Sequence, residues 1–240
     1  MILHVFGDSH SAYCFDGIKE ASINWLGPVT MHRVARDGPS FVTSLVRDPK
    51  ASDVIVLMFG EIDIRTHLIP VAERTGRAVE LEAQELAVRY VRRIAELKDY
   101  VKGATLVVAE PPFPSKRRPN AELPFAGTLA QRVLVHSAVS NALRQTAEAH
   151  GISFLRMPRR YATKSGSLKR IYSDDGVHIM PCEAKAYASA VSNLLGRRVR
   201  FRRSSLDIFL RRWNYVFGGP LRRRGLPKTR RLTDGWQKAD

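Results

Sequence analysis

The sequence predicts an α/β fold, a mostly parallel five-stranded sheet with helices on both faces, followed by a basic C-terminal extension. Three observations carry this reading. Short apolar runs bounded by turn residues recur at residues 2–6, 29–34, 53–59, 104–109 and 152–155. Helix-compatible stretches lie between them, and strands alternating with helices call for a parallel sheet covered on both sides. The chain has 240 residues, 44% of them hydrophobic and 26% charged, which suits one globular core with length to spare.

Taken in order, residues 2–6 read as a buried strand ended by Gly7, and 29–34 and 53–59 as the next two. Residues 79–101 form the clearest helix, with Leu86, Tyr90, Ile94, Leu97 and Val101 on one face and Gly103 as its stop. After the strand at 104–109 comes a Pro-rich connection, 110–124, carrying Lys116, Arg117 and Arg118. A second helix spans 128–150, turning Leu129, Val133, Ala138, Leu143 and Ala147 mostly inward before Gly151 closes it. The strand at 152–155 leads into an Arg/Lys/Ser-rich connection, 156–173. Loops of this length in a compact domain are often functional, and both follow strands, which directs them to one edge of the sheet. A final core helix is expected from Cys182 to Leu195, between Pro181 and Gly196. The core domain is therefore assigned to residues 1–196 and the extension to 197–240.

Composition excludes several classes. Met1 leads directly into the first strand without a secretory pattern, and no apolar run has the length of a membrane span. Cys14 and Cys182 are too few and too far apart for a disulfide framework, so a reducing, cytoplasmic setting is the expectation. The seven histidines lack ligand-like spacing, and no metal or cofactor is expected. Glycine-rich phosphate loops and a Gly-x-Ser-x-Gly elbow are missing too.

Chemistry concentrates in two short motifs. Gly7-Asp8-Ser9 puts a serine at the carboxyl end of the first strand, where open α/β sheets bind ligands. A serine hydroxyl needs a base to take its proton and a third group to orient that base. Asp175-Gly176-Val177-His178 offers both from one turn. With Gly38, in Arg36-Asp37-Gly38-Pro39-Ser40, these blocks resemble in their order the SGNH (GDSL-like) hydrolase superfamily over roughly residues 1–196.

That resemblance implies a flavodoxin-like three-layer α/β/α sandwich and an esterase, carbohydrate O-deacetylase or acyltransferase. It implies Ser9 as nucleophile, His178 as general base, Asp175 as the residue orienting it, and the Ser9 and Gly38 N–H groups in the oxyanion hole. The sequence departs from the family's Gly-x-Asn-Asp block at Gly60-Glu61-Ile62-Asp63, where Ile62 stands in place of the oxyanion-binding Asn. Losing one such donor costs about 3–4 kcal/mol of transition-state stabilisation. Arg65 and His67 are the nearest replacement donors, although Glu61 and Arg65, four residues apart, equally suit a salt bridge bracing the loop. Asp63 reads as an acceptor of backbone N–H bonds near the nucleophile loop. His10 reads either as a substrate contact or as an ordinary loop histidine, and Asp8 joins the residues grouped around the oxyanion and substrate.

The extension stands apart in charge. Residues 197–240 hold 14 Lys or Arg against three Asp, a net of +11 out of the chain's formal +16. Leu206, Phe209, Leu210, Trp213 and Phe217 recur at helical spacing while Arg202, Arg203, Arg211 and Arg212 fall largely elsewhere around the helix. Three roles remain open: packing back on the core, docking on an anionic membrane surface at its inner face, or contacting nucleic-acid phosphates. The leading functional expectation is a serine-dependent ester hydrolase or acyl transferase acting on an O-acetylated carbohydrate. The alternatives are a non-catalytic binding or scaffolding module of the same fold in glycan metabolism, or a nucleic-acid binder acting through its tail.

Overall fold

The computed structural model describes residues 1–116, 123–173, 175–202, 204–206, 208–210, 213 and 236–238. Its centre is β1 (Leu3–Gly7), flanked by β2 (Ala21–Trp25) and β3 (Val54–Met58). Beyond β3 lie β4 (Thr105–Ala109) and β5 (Ser153–Leu155). The spatial order β5-β4-β3-β1-β2 is the flavodoxin-like one, and every pairing is parallel. A sixth strand from the extension, β6 (Trp236–Lys238), pairs in parallel with the free edge of β2.

Strand alternation divides the core in two. Phe6, Ile55, Leu57, Leu106 and Val108 point into one apolar cluster, while Leu3, Val5, Val54, Val56 and Val107 point into the other. The first is covered by α2 (Met31–Asp37), α3 (Ser40–Leu45), α4 (Leu68–Thr75), α5 (Val79–Ala95) and α7 (Leu129–Ala149). The second is covered by α1 (Ser9–Phe15) and α8 (Lys185–Leu195). A short helix, α6 (Lys98–Val101), follows α5. The expected three-layer sandwich is thus present.

One strand assignment needs correcting. Residues 29–34 do not form the second strand; they enter α2, whose N-cap Thr30 accepts the Arg33 N–H at 3.0 Å. Met31 and Val34, three apart, face the core as a helix requires. The true second strand, Ala21–Trp25, is masked in the sequence by Ser22 and Asn24. The long helix expected over 79–101 breaks into α5 and α6. The helix expected over 128–150 is α7, entered through a capping box in which Thr128 and Gln131 satisfy each other's backbone N–H.

The two long connections meet each other. The Leu168 N–H donates to the Pro114 carbonyl at 2.8 Å, and the Tyr161 hydroxyl donates to Glu183 at 2.5 Å. The extension does not leave the core at Gly196. Val199 is buried, Arg200 pairs with Glu20 at 2.7 Å, and Phe201 bridges Ile18. Among the described residues no helix is long and apolar enough to cross a membrane.

Candidate active site

The site begins with a close approach. A Cβ on Gly7 would lie 2.2 Å from the Met58 carbonyl oxygen and 2.7 Å from Ser11 Cβ, so only glycine lets β1 turn into α1 here. Asp8 then caps the helix, its Oδ1 accepting the His10 N–H at 2.8 Å, and the Ser11 hydroxyl donates to the Asp8 carbonyl at 2.7 Å. Ser9 is thereby held at the first position of α1, above the carboxyl end of the central strand.

The second motif meets it across the sheet edge. Ser9 Oγ lies 2.7 Å from His178 Nε2, and His178 Nδ1 lies 2.5 Å from Asp175 Oδ2. The other Asp175 oxygen accepts the N–H groups of Val177 and His178 at 2.7 and 2.8 Å, which winds the turn around the carboxylate. Burial alone would raise the Asp175 pKa. The His178 hydrogen bond and charge, with the two backbone N–H donors, outweigh burial and hold the carboxyl well below the usual range. An ionised Asp175 only accepts, so in neutral His178 the proton sits on Nδ1 and Nε2 is left to accept from Ser9.

His178 is also held by its faces. The rings of His10 and Tyr13, three apart on α1, stack on it at centroid distances of 4.5 and 4.4 Å. His10 is only 1% exposed and lies on α1, so it is a buried neighbour of His178 rather than a loop histidine. Its Nε2 lies 3.2 Å from Glu61 Oε2, an ion-pair contact whose alignment falls outside hydrogen-bond geometry. Burial lowers the His10 pKa, but the charge and contact of Glu61, with Asp8 and Asp175, carry it above the ordinary histidine value. Burial likewise raises Glu61, and His10 and Arg65 overcome it to bring the carboxyl down to about 2. The row Arg65–Glu61–His10 thus ends against the His178 ring.

The remaining expected residues fall around this row. Arg65 Nε donates to both Glu61 oxygens at 2.8 and 3.0 Å and Nη1 to the Pro124 carbonyl at 2.5 Å, so the bracing role is realised. Asp63 takes the Met31 and His32 N–H groups at 2.7 and 3.2 Å, clamping the start of α2. His67, half exposed at the end of the π-helical turn Asp63–His67, lies 3.9 Å from Asp63 Oδ1 and makes no contact described with Ser9 or His178. Gly38 does not follow the second strand. It ends α2 at φ +80°, and a Cβ there would sit 2.9 Å from Arg93 Nη2, on the side of α5. The misplaced second strand explains the error: the turn that leaves the true β2 is residues 26–30, where the Leu26 N–H donates to the Gly7 carbonyl at 2.9 Å.

A shallow cleft runs beside the Asp175–His178 turn, bordered by Arg65, Phe113, Ser115, Arg132, Gly176 and Val177. Its two walls are joined where the Ser115 hydroxyl donates to the Gly176 carbonyl. Tyr13 joins the site only in the fold, and the i, i+3 spacing of His10 and Tyr13 on α1 is the sequence signal that links the two rings. Among the described residues no group of three or more His, Cys, Asp or Glu side chains is arranged to hold a metal ion.

No protein-family model and no curated protein matches the chain. Solved structures do. A GDSL-like lipase from Bacteroides thetaiotaomicron superposes with a TM-score of 0.52 at 13% identity, covering 81% of this chain and 85% of that one. A member of the lipolytic protein G-D-S-L family from Veillonella parvula gives 0.51 at 18% identity over 82% and 99%. A carbohydrate acetylesterase family member from Sinorhizobium meliloti gives 0.51 at 18% identity over 82% and 100%. At such identities the likeness is one of architecture, and the chain has the α/β/α fold of the GDSL-type lipolytic proteins.

Proposed function

We propose that this protein is a serine-dependent ester hydrolase or acyl transferase of the SGNH type, acting on an O-acylated carbohydrate. The observation that carries the reading is the unbroken line Ser9 Oγ, His178 Nε2, His178 Nδ1 and Asp175 Oδ2, at 2.7 and 2.5 Å. His178 takes the Ser9 proton as Oγ attacks the acyl carbonyl, and Asp175 stabilises the imidazolium that forms. The Ser9 N–H is the donor assigned to the oxyanion. His178 then protonates the departing alcohol. Water, or an acceptor hydroxyl, gives its proton to His178 and attacks the acyl-serine, restoring Ser9 and releasing the acid or the new ester.

Two observations support the carbohydrate substrate: one of the structures sharing the fold is a carbohydrate acetylesterase family member, and charged side chains border the cleft. A single observation favours a second reading. Ile62 supplies no amide to the oxyanion, and a binding module of this fold needs none. A fluorophosphonate probe separates the two. Covalent labelling of Ser9, abolished by Ser9→Ala in a folded protein and accompanied by acetate release from acetylated oligosaccharides, supports the enzyme. A folded chain that leaves the probe untouched overturns it.

A further inference from the structure

The exposed face of the extension has a second role to explain. Residues 205, 206, 208–210 and 213 are helical, and Leu206, Phe209, Leu210 and Trp213 share one stripe at i, i+3, i+4 and i+7. These residues are 65%, 56%, 51% and 52% exposed, so at least half of the face is open to solvent. Phe209 and Trp213 touch each other, with ring centroids 5.9 Å apart, forming a compact aromatic anchor. Around this stripe the sequence sets Arg202, Arg203, Arg211 and Arg212, within a segment of net charge +11.

From this combination we infer that the helix is a docking surface for an anionic lipid bilayer. Charge decides among the possible occupants. The segment's charge is almost all of one sign, 14 Lys or Arg against three Asp, which matches an extended anionic surface. Nucleic acid would engage the arginines but has no use for an aliphatic stripe containing Leu206 and Leu210. An apolar face sunk at the headgroup boundary, with guanidinium groups reaching anionic headgroups, uses both halves of the pattern. Location gives the docking a consequence. Lys185 Nζ lies 3.5 Å from Ser205 Oγ, so the helix leaves the core beside the first residue of α8, just past the turn carrying Asp175 and His178. Docking there brings the catalytic edge toward acylated material carried on the same surface.

The test uses the full chain and sedimented vesicles of phosphatidylcholine, alone or mixed with phosphatidylglycerol. Binding at least about tenfold tighter to the mixed vesicles is expected, with loss as salt rises from about 0.05 to about 0.5 M. The quadruple variant Leu206→Ser, Phe209→Ser, Leu210→Ser, Trp213→Ser keeps every charge and should lose at least about tenfold of that binding, its thermal unfolding unchanged. As a second readout, mixed vesicles should shift the tryptophan emission of the parent to the blue, and Trp213→Phe should remove the shift. Equal or absent binding to the two vesicle types overturns the inference. So does a quadruple variant that binds as the parent does, or a duplex DNA oligomer that binds more tightly than the mixed vesicles.

Discussion

Replacing Asp8 by Asn turns a buried carboxylate into a pH-resolved measurement. Asp8 is 1% exposed; its Oδ1 accepts the His10 N–H, while Oδ2 has no hydrogen-bond partner. Burial first, and Glu61 second in the same direction, raise its pKa from 3.8 to about 6 against the opposing pull of His10 and His178. The sign follows from linkage. Below the unfolded value both states hold the proton and nothing is lost. Between 3.8 and about 6 the unfolded chain ionises while the fold resists, so stability falls as pH rises through this window. Above it the loss is complete, at about 3 kcal/mol for a shift of roughly two pKa intervals. Asn keeps the Oδ1 acceptor but puts an NH₂ group where Oδ2 finds no partner, costing about 1 kcal/mol at every pH. Asp8→Asn should therefore be slightly less stable than the parent at pH 4 and about 2 kcal/mol more stable at pH 8, by urea unfolding followed by circular dichroism. A difference between variant and parent that does not change with pH refutes the reasoning.

Other substitutions test other parts of the site. Ser9→Ala and His178→Ala should each lower ester turnover by about 10⁴-fold while leaving the urea midpoint near that of the parent, as read from initial rates and denaturation. Glu61→Gln strips the counter-charge from His10 and Arg65 and should cost about 3 kcal/mol at pH 7. Because the Glu61 pKa is depressed to about 2, that gap should close as pH falls from 4.5 toward 2, which urea titrations at pH 7 and 3 will show. Thr128→Ala removes half of the capping box at the start of α7 and should cost about 1 kcal/mol in the same assay.

How much of this was readable beforehand depended on how local each feature is. The His178–Asp175 pair is made within one four-residue turn, so its spacing betrayed it. Ser9 followed because a glycine closing a strand marks the sheet's carboxyl edge. The α7 helix and its ends were visible because Thr128, Gln131 and Gly151 do their work within a few residues of the chain. The second strand was not. Asn24 is buried in the middle of Ala21–Trp25, its amide 3.5 Å from the Val5 and Ser22 carbonyls, and polar residues inside a strand break the apolar signal. Reading 29–34 as that strand places Gly38 directly after it, whereas Gly38 ends α2. Local spacing supported two roles for Arg65, and the second ligand of its guanidinium, the Pro124 carbonyl, lies 59 residues away. The setting of His10 is hidden for the same reason, since the ring it stacks on lies far along the chain.

The three residues of β6 have an influence out of proportion to their number. By taking the outer edge of β2 they cover a row of backbone N–H and C=O groups that would otherwise invite another chain to add a strand. The segment with the highest charge in the molecule therefore ends in a guard for the sheet. Truncating the chain to remove the arginines would strip that guard as well, and the shortened protein should self-associate through β2. Aggregation of such a fragment would then report an open sheet edge, and the basic segment is better questioned one side chain at a time.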